Sequence, residues 1–123
     1  MAIKLKRVKD QVIVITGASS GIGLTTARMA ARRGARLVLA ARNADALKQL
    51  AAEIERDGGE ATYCVADVGE ETSAARISRT AIDRFGGFDT WVNDAGIGIY
   101  GELLELNTAD HRRLFETNFW GTV

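Results

Sequence analysis

Apolar residues along this chain fall into two alternating patterns, short continuous runs and longer stripes at helical spacing. Val12, Ile13, Val14 and Ile15 are four β-branched residues in a row, the pattern of a strand covered on both faces. Residues 36–41 make a second such run, 61–65 a third and 90–92 a short fourth. Helical segments lie between them. Residues 24–33 are mostly good helix formers, closed by Gly34. Leu47, Leu50, Ala51 and Ile54 recur at i, i+3, i+4 and i+7, one apolar stripe turned toward a sheet, and Asp57, Gly58 and Gly59 end that helix. Ala74, Ile77, Ala81 and Phe85 predict a third helix, stopped by Gly86 and Gly87. Asn107, with Asp110 three residues on, reads as the N-cap of a last helix through Leu114, Phe115, Asn118 and Phe119, still in progress at Val123.

Buried strands that alternate with helices require a parallel sheet with right-handed crossovers. The expected fold class is α/β, a doubly wound parallel sheet with the first strand central and spatial order 3-2-1-4. No repeat, linker or composition break divides residues 1–123, so one domain is expected, ending before any fifth strand.

Composition narrows the partners. Lys and Arg together number 16, as do Asp and Glu, which removes the electrostatic case for nucleic acid or an anionic membrane. Lys4, Lys6, Arg7 and Lys9 make a basic start that lacks the apolar core of a secretory peptide and reads as a solvated flank. No run approaches the roughly 18 apolar residues that cross a bilayer. Cys64 is the single cysteine, which excludes an internal disulfide and fits a reducing cytoplasm. Its place in an apolar strand predicts a packed thiol. His111, the only histidine, has no partner at metal-ligand spacing; no metal is expected, and it reads as a surface residue.

The stretch from Thr16 to Gly23 (Thr-Gly-Ala-Ser-Ser-Gly-Ile-Gly) stands between the first strand and the first helix. Glycines let backbone turn tightly and approach a ligand closely. A helix that starts there aims its free N–H groups and positive dipole end at that ligand. Such a turn is an anion site, and on a βαβ unit the usual anion is a dinucleotide pyrophosphate. A purely structural turn has the same composition.

The spacing Gly-x-x-x-Gly-x-Gly, with its leading Thr, resembles the cofactor loop of the short-chain dehydrogenase/reductase family. That resemblance implies a Rossmann-type fold and assigns cofactor contacts to Gly17, Ser19, Ser20, Gly21, Ile22 and Gly23. At the end of the second strand, Ala41 occupies the family's position for the acid that binds NAD, and Arg42 its position for the base that binds NADP. NADP is therefore the expected cofactor over NAD; on the residues alone, Arg42 also reads as a solvated strand cap. Asp67 and Val68 match the family's adenine-contacting pair, where sequence alone offers a turn cap. Asn93, Asp94, Ala95 and Gly96 resemble the family's Asn-Asn-Ala-Gly, which lines the cofactor cleft, except at Asp94. An amide exchanged for a carboxylate loses two donors and places negative charge near phosphates. Asn118 matches the Asn of the family's catalytic tetrad, which orders a water in a proton relay.

The family's remaining catalytic groups are a Ser and a Tyr-x-x-x-Lys pair. Here Tyr63 is followed four residues on by Asp67, and Tyr100 by Leu104, so the pair is absent. The resemblance spans essentially the whole chain but about half of a typical family member. An expression fragment, a fragmentary gene product and a proteolysed chain would all look like this. Two functional classes follow. One is the cofactor-binding part of an NADP(H)-dependent oxidoreductase that acts on a carbonyl or alcohol, inactive on its own. The other is a non-catalytic module that binds a dinucleotide or a protein. Exposed Leu114, Phe115, Phe119 and Trp120, with the apolar fourth strand, predict a homo-oligomer.

Overall fold

The run of β-branched residues becomes the centre of a sheet. The computed structural model describes residues 3–123, so the first two positions of the expected 1–123 domain lie outside the described residues. Strands β1 (Val12–Thr16), β2 (Arg36–Ala41), β3 (Glu60–Val65) and β4 (Thr90–Asn93) pair in parallel in the order β3-β2-β1-β4, as the sequence predicts. Val14 stands beside Val38 on one side and Trp91 on the other; residues 13–16 are paired on both sides, and all of β1 is buried.

Helices α1 (Gly21–Arg32), α2 (Ala44–Arg56), α3 (Ser73–Phe85) and α4 (Thr108–Phe115) follow the strands. Because side chains alternate along a strand, β1 and β2 feed two separate cores. Ile13, Ile15, Leu37 and Leu39 meet Ala27 of α1 and Leu47, Leu50, Ala51 and Ile54 of α2. Val12, Val14, Val38 and Ala40 meet Ile77 and Ala81 of α3 on the other face. Each large aliphatic side chain buried this way contributes about 1.5–3 kcal/mol. The outer strands bury less: β3 alternates between covered and exposed positions, with Cys64 half-buried against the α3 face.

Two expectations about helices need correction. The inward stripe of α3 is Ser73, Ile77 and Ala81, and Ala74 is exposed. Ser73 turns inward because its hydroxyl donates to the carbonyl of Asp67, which pins the start of α3 to the exit of β3. The last helix is not uniform either. It is α-helical to Phe115 and then widens into a π-helical turn, Glu116–Trp120, of the kind that often accompanies functional sites. Its predicted start is observed, since Asn107 Oδ1 accepts from the Asp110 N–H at 2.9 Å.

The basic flank is solvated, but two of its residues have partners: Arg7 pairs with nearby Asp10 at 3.0 Å, and Lys6 reaches across to the start of β4. Lys6 Nζ lies 2.6 Å from Asp89 Oδ1, while Asp89 Oδ2 accepts from the Val12 N–H at 2.9 Å. The Lys6 ammonium and the Val12 N–H hold the Asp89 carboxyl below its usual range. These bonds fix the entry of β1 beside that of β4. Among the described residues, no helix is long and apolar enough to cross a membrane.

Candidate functional site

The carboxyl ends of the strands open on a cavity of about 630 Å³, at the point where chain order reverses between β2 and β4. Such switch points are where open α/β sheets receive ligands. Gly17, Ser19, Ser20, Gly21 and Ile22 form one wall, with Ala41, Arg42 and Asn43 at the tip of β2. Ala66, Asp67 and Val68 follow β3, and Asp94, Ala95, Gly96, Ile97 and Thr117 complete the ring.

Thr16, only 1% exposed, holds the two sides together. Its Oγ1 accepts from the N–H groups of Asp94 at 3.2 Å and Ala95 at 3.3 Å, and donates to the Val92 carbonyl at 3.4 Å. The next residue, Gly17, has φ +70°, and a Cβ there would stand 2.8 Å from the backbone nitrogen of Ala95. Gly23, in the first turn of α1, packs against the Gly17 carbonyl with equally little room. Only glycine satisfies both contacts.

These contacts leave the start of α1 open to the cavity. The first helical bond runs from the Leu24 N–H to the Ser20 carbonyl, and Ser20 makes no side-chain cap. The N–H groups of Gly21, Ile22 and Gly23 have no backbone acceptor among the described residues. Ile22 is 76% exposed at the rim. Free donors and a positive helix end suit an anion, and the close backbone cradle suits a bulky one.

Arg42 is exposed at the tip of β2 and makes no ion pair among the described residues. Asp67, in contrast, is engaged: Oδ1 accepts from the Gly69 N–H at 2.9 Å and Oδ2 from Arg113 at 2.8 Å. Burial pushes the Asp67 carboxyl up, but the Gly69 N–H and the Arg113 guanidinium outweigh it and leave it below the usual carboxylate range. Thr117, 5% exposed, carries a buried hydroxyl without a protein partner.

The structure thus gathers most of the residues that the sequence singles out, with three set apart from the cavity wall: Gly23, which packs behind Gly17, and Asn93 and Asn118. Asn93 lies on the α3 face of β4 with Trp91, two residues before it, and accepts from the Trp91 indole N–H at 2.9 Å. It lines a second cavity of about 810 Å³ beside Phe88, Trp91 and Trp120. Asn118 clamps the loop behind the cavity: its Oδ1 accepts from the Ile97 N–H and its Nδ2 donates to the Ile97 carbonyl, both at 2.8 Å. Sequence reasoning missed Asn43, Ile97, Thr117 and Arg113. Asn43 carried a usable signal, an Asn just before a predicted helix, and it caps α2 by accepting from the Ala46 N–H. Among the described residues, no group of three His, Cys, Asp or Glu side chains could hold a metal.

A doubly wound sheet with this loop at its switch point defines a dinucleotide-binding class of fold. The short chain dehydrogenase family profile matches residues 11–123, and the chain belongs to that family. Among relatives, an uncharacterised oxidoreductase of Bacillus subtilis, YxnA, is 56% identical over 121 residues, covering 98% of this chain and 34% of that protein. A short chain dehydrogenase/reductase from Burkholderia phymatum, solved with NAD, has a TM-score of 0.92 at 30% identity, covering 96% of this chain and 42% of that one. An alcohol dehydrogenase from Thermococcus sibiricus, complexed with 5-hydroxy-NADP, has a TM-score of 0.86 at 39% identity, covering 90% and 48%. The chain therefore spans less than half the length of these proteins.

The Thr16 hydroxyl is testable by shape-conserving replacement. Thr16→Val leaves two partly buried N–H groups without an acceptor and should destabilise the fold by about 1–3 kcal/mol. Thr16→Ser keeps the oxygen and should lie much closer to wild type. Urea denaturation of all three proteins checks this, and a Val variant as stable as wild type would remove the hydroxyl from the account.

Proposed function

We propose that this chain is the NADP(H)-binding part of an oxidoreductase that interconverts a carbonyl and an alcohol by hydride transfer. The observation that carries the reading is the pairing, within one cavity, of an open helix start with an unpaired arginine at the tip of β2. Pyrophosphate suits Gly17, Ser19, Ser20, Gly21, Ile22 and the turn that Gly23 closes. Arg42 suits a 2′-phosphate, with small Ala41 beside it where an acid would instead bind a ribose hydroxyl. Asp67 and Val68 are then left for the adenine, and Ala95 and Gly96 for the opposite half of the cofactor. Asn93 steadies β4, and Asn118 takes the proton-relay place that its family resemblance implies. Bound NADP(H) supplies or accepts the hydride; the residues named here bind and orient it. The solved relatives carry both NAD and an NADP derivative, so the choice between them rests on Arg42. A reducing cytoplasmic setting accords with the lone, half-buried Cys64.

Calorimetric titration tests the cofactor. NADPH should bind about 10- to 100-fold more tightly than NADH, since a charge-assisted contact contributes about 1.5–3 kcal/mol. Arg42→Ala should erase most of that preference. Equal affinities in the wild type, or a preference for NADH, would refute the assignment.

The 123-residue chain should show no turnover by itself. It has no Tyr-x-x-x-Lys, and an amide such as Asn118 cannot take the place of a titrating acid. Positioned proton transfer contributes about 10²–10⁴-fold in rate. NADPH oxidation with a panel of ketones and aldehydes should stay at background; activity that follows the protein through purification contradicts this.

The small-molecule substrate is assigned to the full-length relatives' kind of protein, and self-association is expected from this chain's own surface. Phe115, Phe119 and Trp120 are 60%, 50% and 62% exposed on one helical end. Covering such aromatics contributes about 1.5–3 kcal/mol each, enough to favour pairing with a second copy. Light scattering over a dilution series should find dimers or larger species. A monodisperse monomer at high micromolar concentration would overturn the expectation.

A further inference from the structure

We propose that Asp94 is a specificity-determining residue of the cavity, whose negative charge opposes the diphosphate of a bound dinucleotide and holds its affinity down. The inference rests on the dinucleotide reading above and extends it to a residue that the reading leaves without a role. Asp94 lines the cavity with Gly17, Ser19, Ser20 and Gly21. Its Oδ2 lies 2.7 Å from the position a Cβ on Gly23 would take, against the first turn of α1. The carboxylate therefore stands beside the free N–H groups that make this turn attractive to anions.

Asp94 differs from the other carboxylate of the cavity in having no ion-pair or hydrogen-bond partner among the described residues. Asp67 is paired with Arg113 and bonded to the Gly69 N–H. Among the described residues, the Asp94 carboxylate accepts no hydrogen bond and forms no ion pair. It is also tethered. The Asp94 N–H is held by buried Thr16 Oγ1, so the charge cannot be carried away from the loop without breaking that bond. The structural tie at this position is made by backbone, and a neutral side chain would keep it. A charge fixed beside a phosphate cradle costs affinity by Coulomb repulsion, and the cost is greatest at low salt.

The experiment titrates NADPH, followed by its own fluorescence, into the wild type, Asp94→Asn and Asp94→Ala, at low salt and again at high salt. Circular dichroism first establishes that each variant is folded. Both variants should bind about three- to tenfold more tightly than wild type at low salt. That gain should shrink toward unity in about 0.5 M KCl, where the screening length falls to roughly 4 Å. Affinity unchanged or weakened in both variants overturns the proposal. So does a gain confined to Asn, or one that persists undiminished in salt, since either marks a new hydrogen bond in place of a removed charge. Failure of all three proteins to bind NADPH or NADH overturns the dinucleotide reading itself, and the role of Asp94 with it.

Discussion

One buried hydroxyl sets the geometry on which the cavity depends. Thr16 ends β1, and by accepting from Asp94 and Ala95 it fixes how the chain leaves β4. The following residue, Gly17, presses its backbone against Ala95, and Gly23 presses the first turn of α1 against Gly17. The Thr16 hydroxyl and two backbone-to-backbone contacts thus stack a strand exit, a loop and a helix start. A turn built this way is rigid, because it is main chain already held by the sheet. It also tolerates no added carbon, which explains the glycines better than flexibility does.

The helices are held to this frame in two opposite ways. α2 is attached mainly through a dry stripe, Leu47, Leu50, Ala51 and Ile54, with Glu53 adding a two-bond ion pair to Arg28 of α1. α4 and its π-helical turn reverse that logic. They reach the body through polar or backbone ties: Arg113 to Asp67, Asn118 to Ile97, and Gly121 against Val68. Their aromatics face outward. Every one of those ties ends on a residue of the cavity wall or next to it, so this last element closes the cavity's rim and adds little to either core.

What could be read from the sequence follows from which interactions are local. The β-branched run, the second strand and the α2 stripe are periodic signals, and the sheet order follows from them by topology alone. Ala74 was misplaced because an apolar count has no way to register Ser73, whose hydroxyl reaches a carbonyl six residues back. The π-helical turn escaped for a similar reason, since its Asn118 amide is bonded to a backbone 21 residues earlier. Asn93 sits in a motif that points to the cleft, yet the two-residue period of β4 puts it with Trp91 on the other face. Glycine spacing located the tight turn beside the cavity, whereas Arg113 and Thr117 carry no local signature and emerge only when α4 folds back.

The electrostatics of the cavity are uneven along its length. At the β2 tip, Arg42 forms no ion pair among the described residues, although its charge reaches Asp67 and helps hold that carboxyl down. At the β3 exit the charge of Asp67 is balanced by Arg113, so that wall is close to neutral. At the β4 exit Asp94 is negative and unbalanced. On the dinucleotide reading, the phosphate-rich adenosine end is drawn to Arg42, and repulsion rises toward the other end. A gradient of this kind orients a polyanion as it enters, because the reversed pose would bring its extra phosphate to Asp94. The same gradient keeps binding short of its maximum, since the α1 helix end must serve the ligand phosphates and a resident carboxylate together. On that reading orientation comes from Arg42 and Asp94 together, and the buried Thr16 hydroxyl fixes the backbone that carries the negative one.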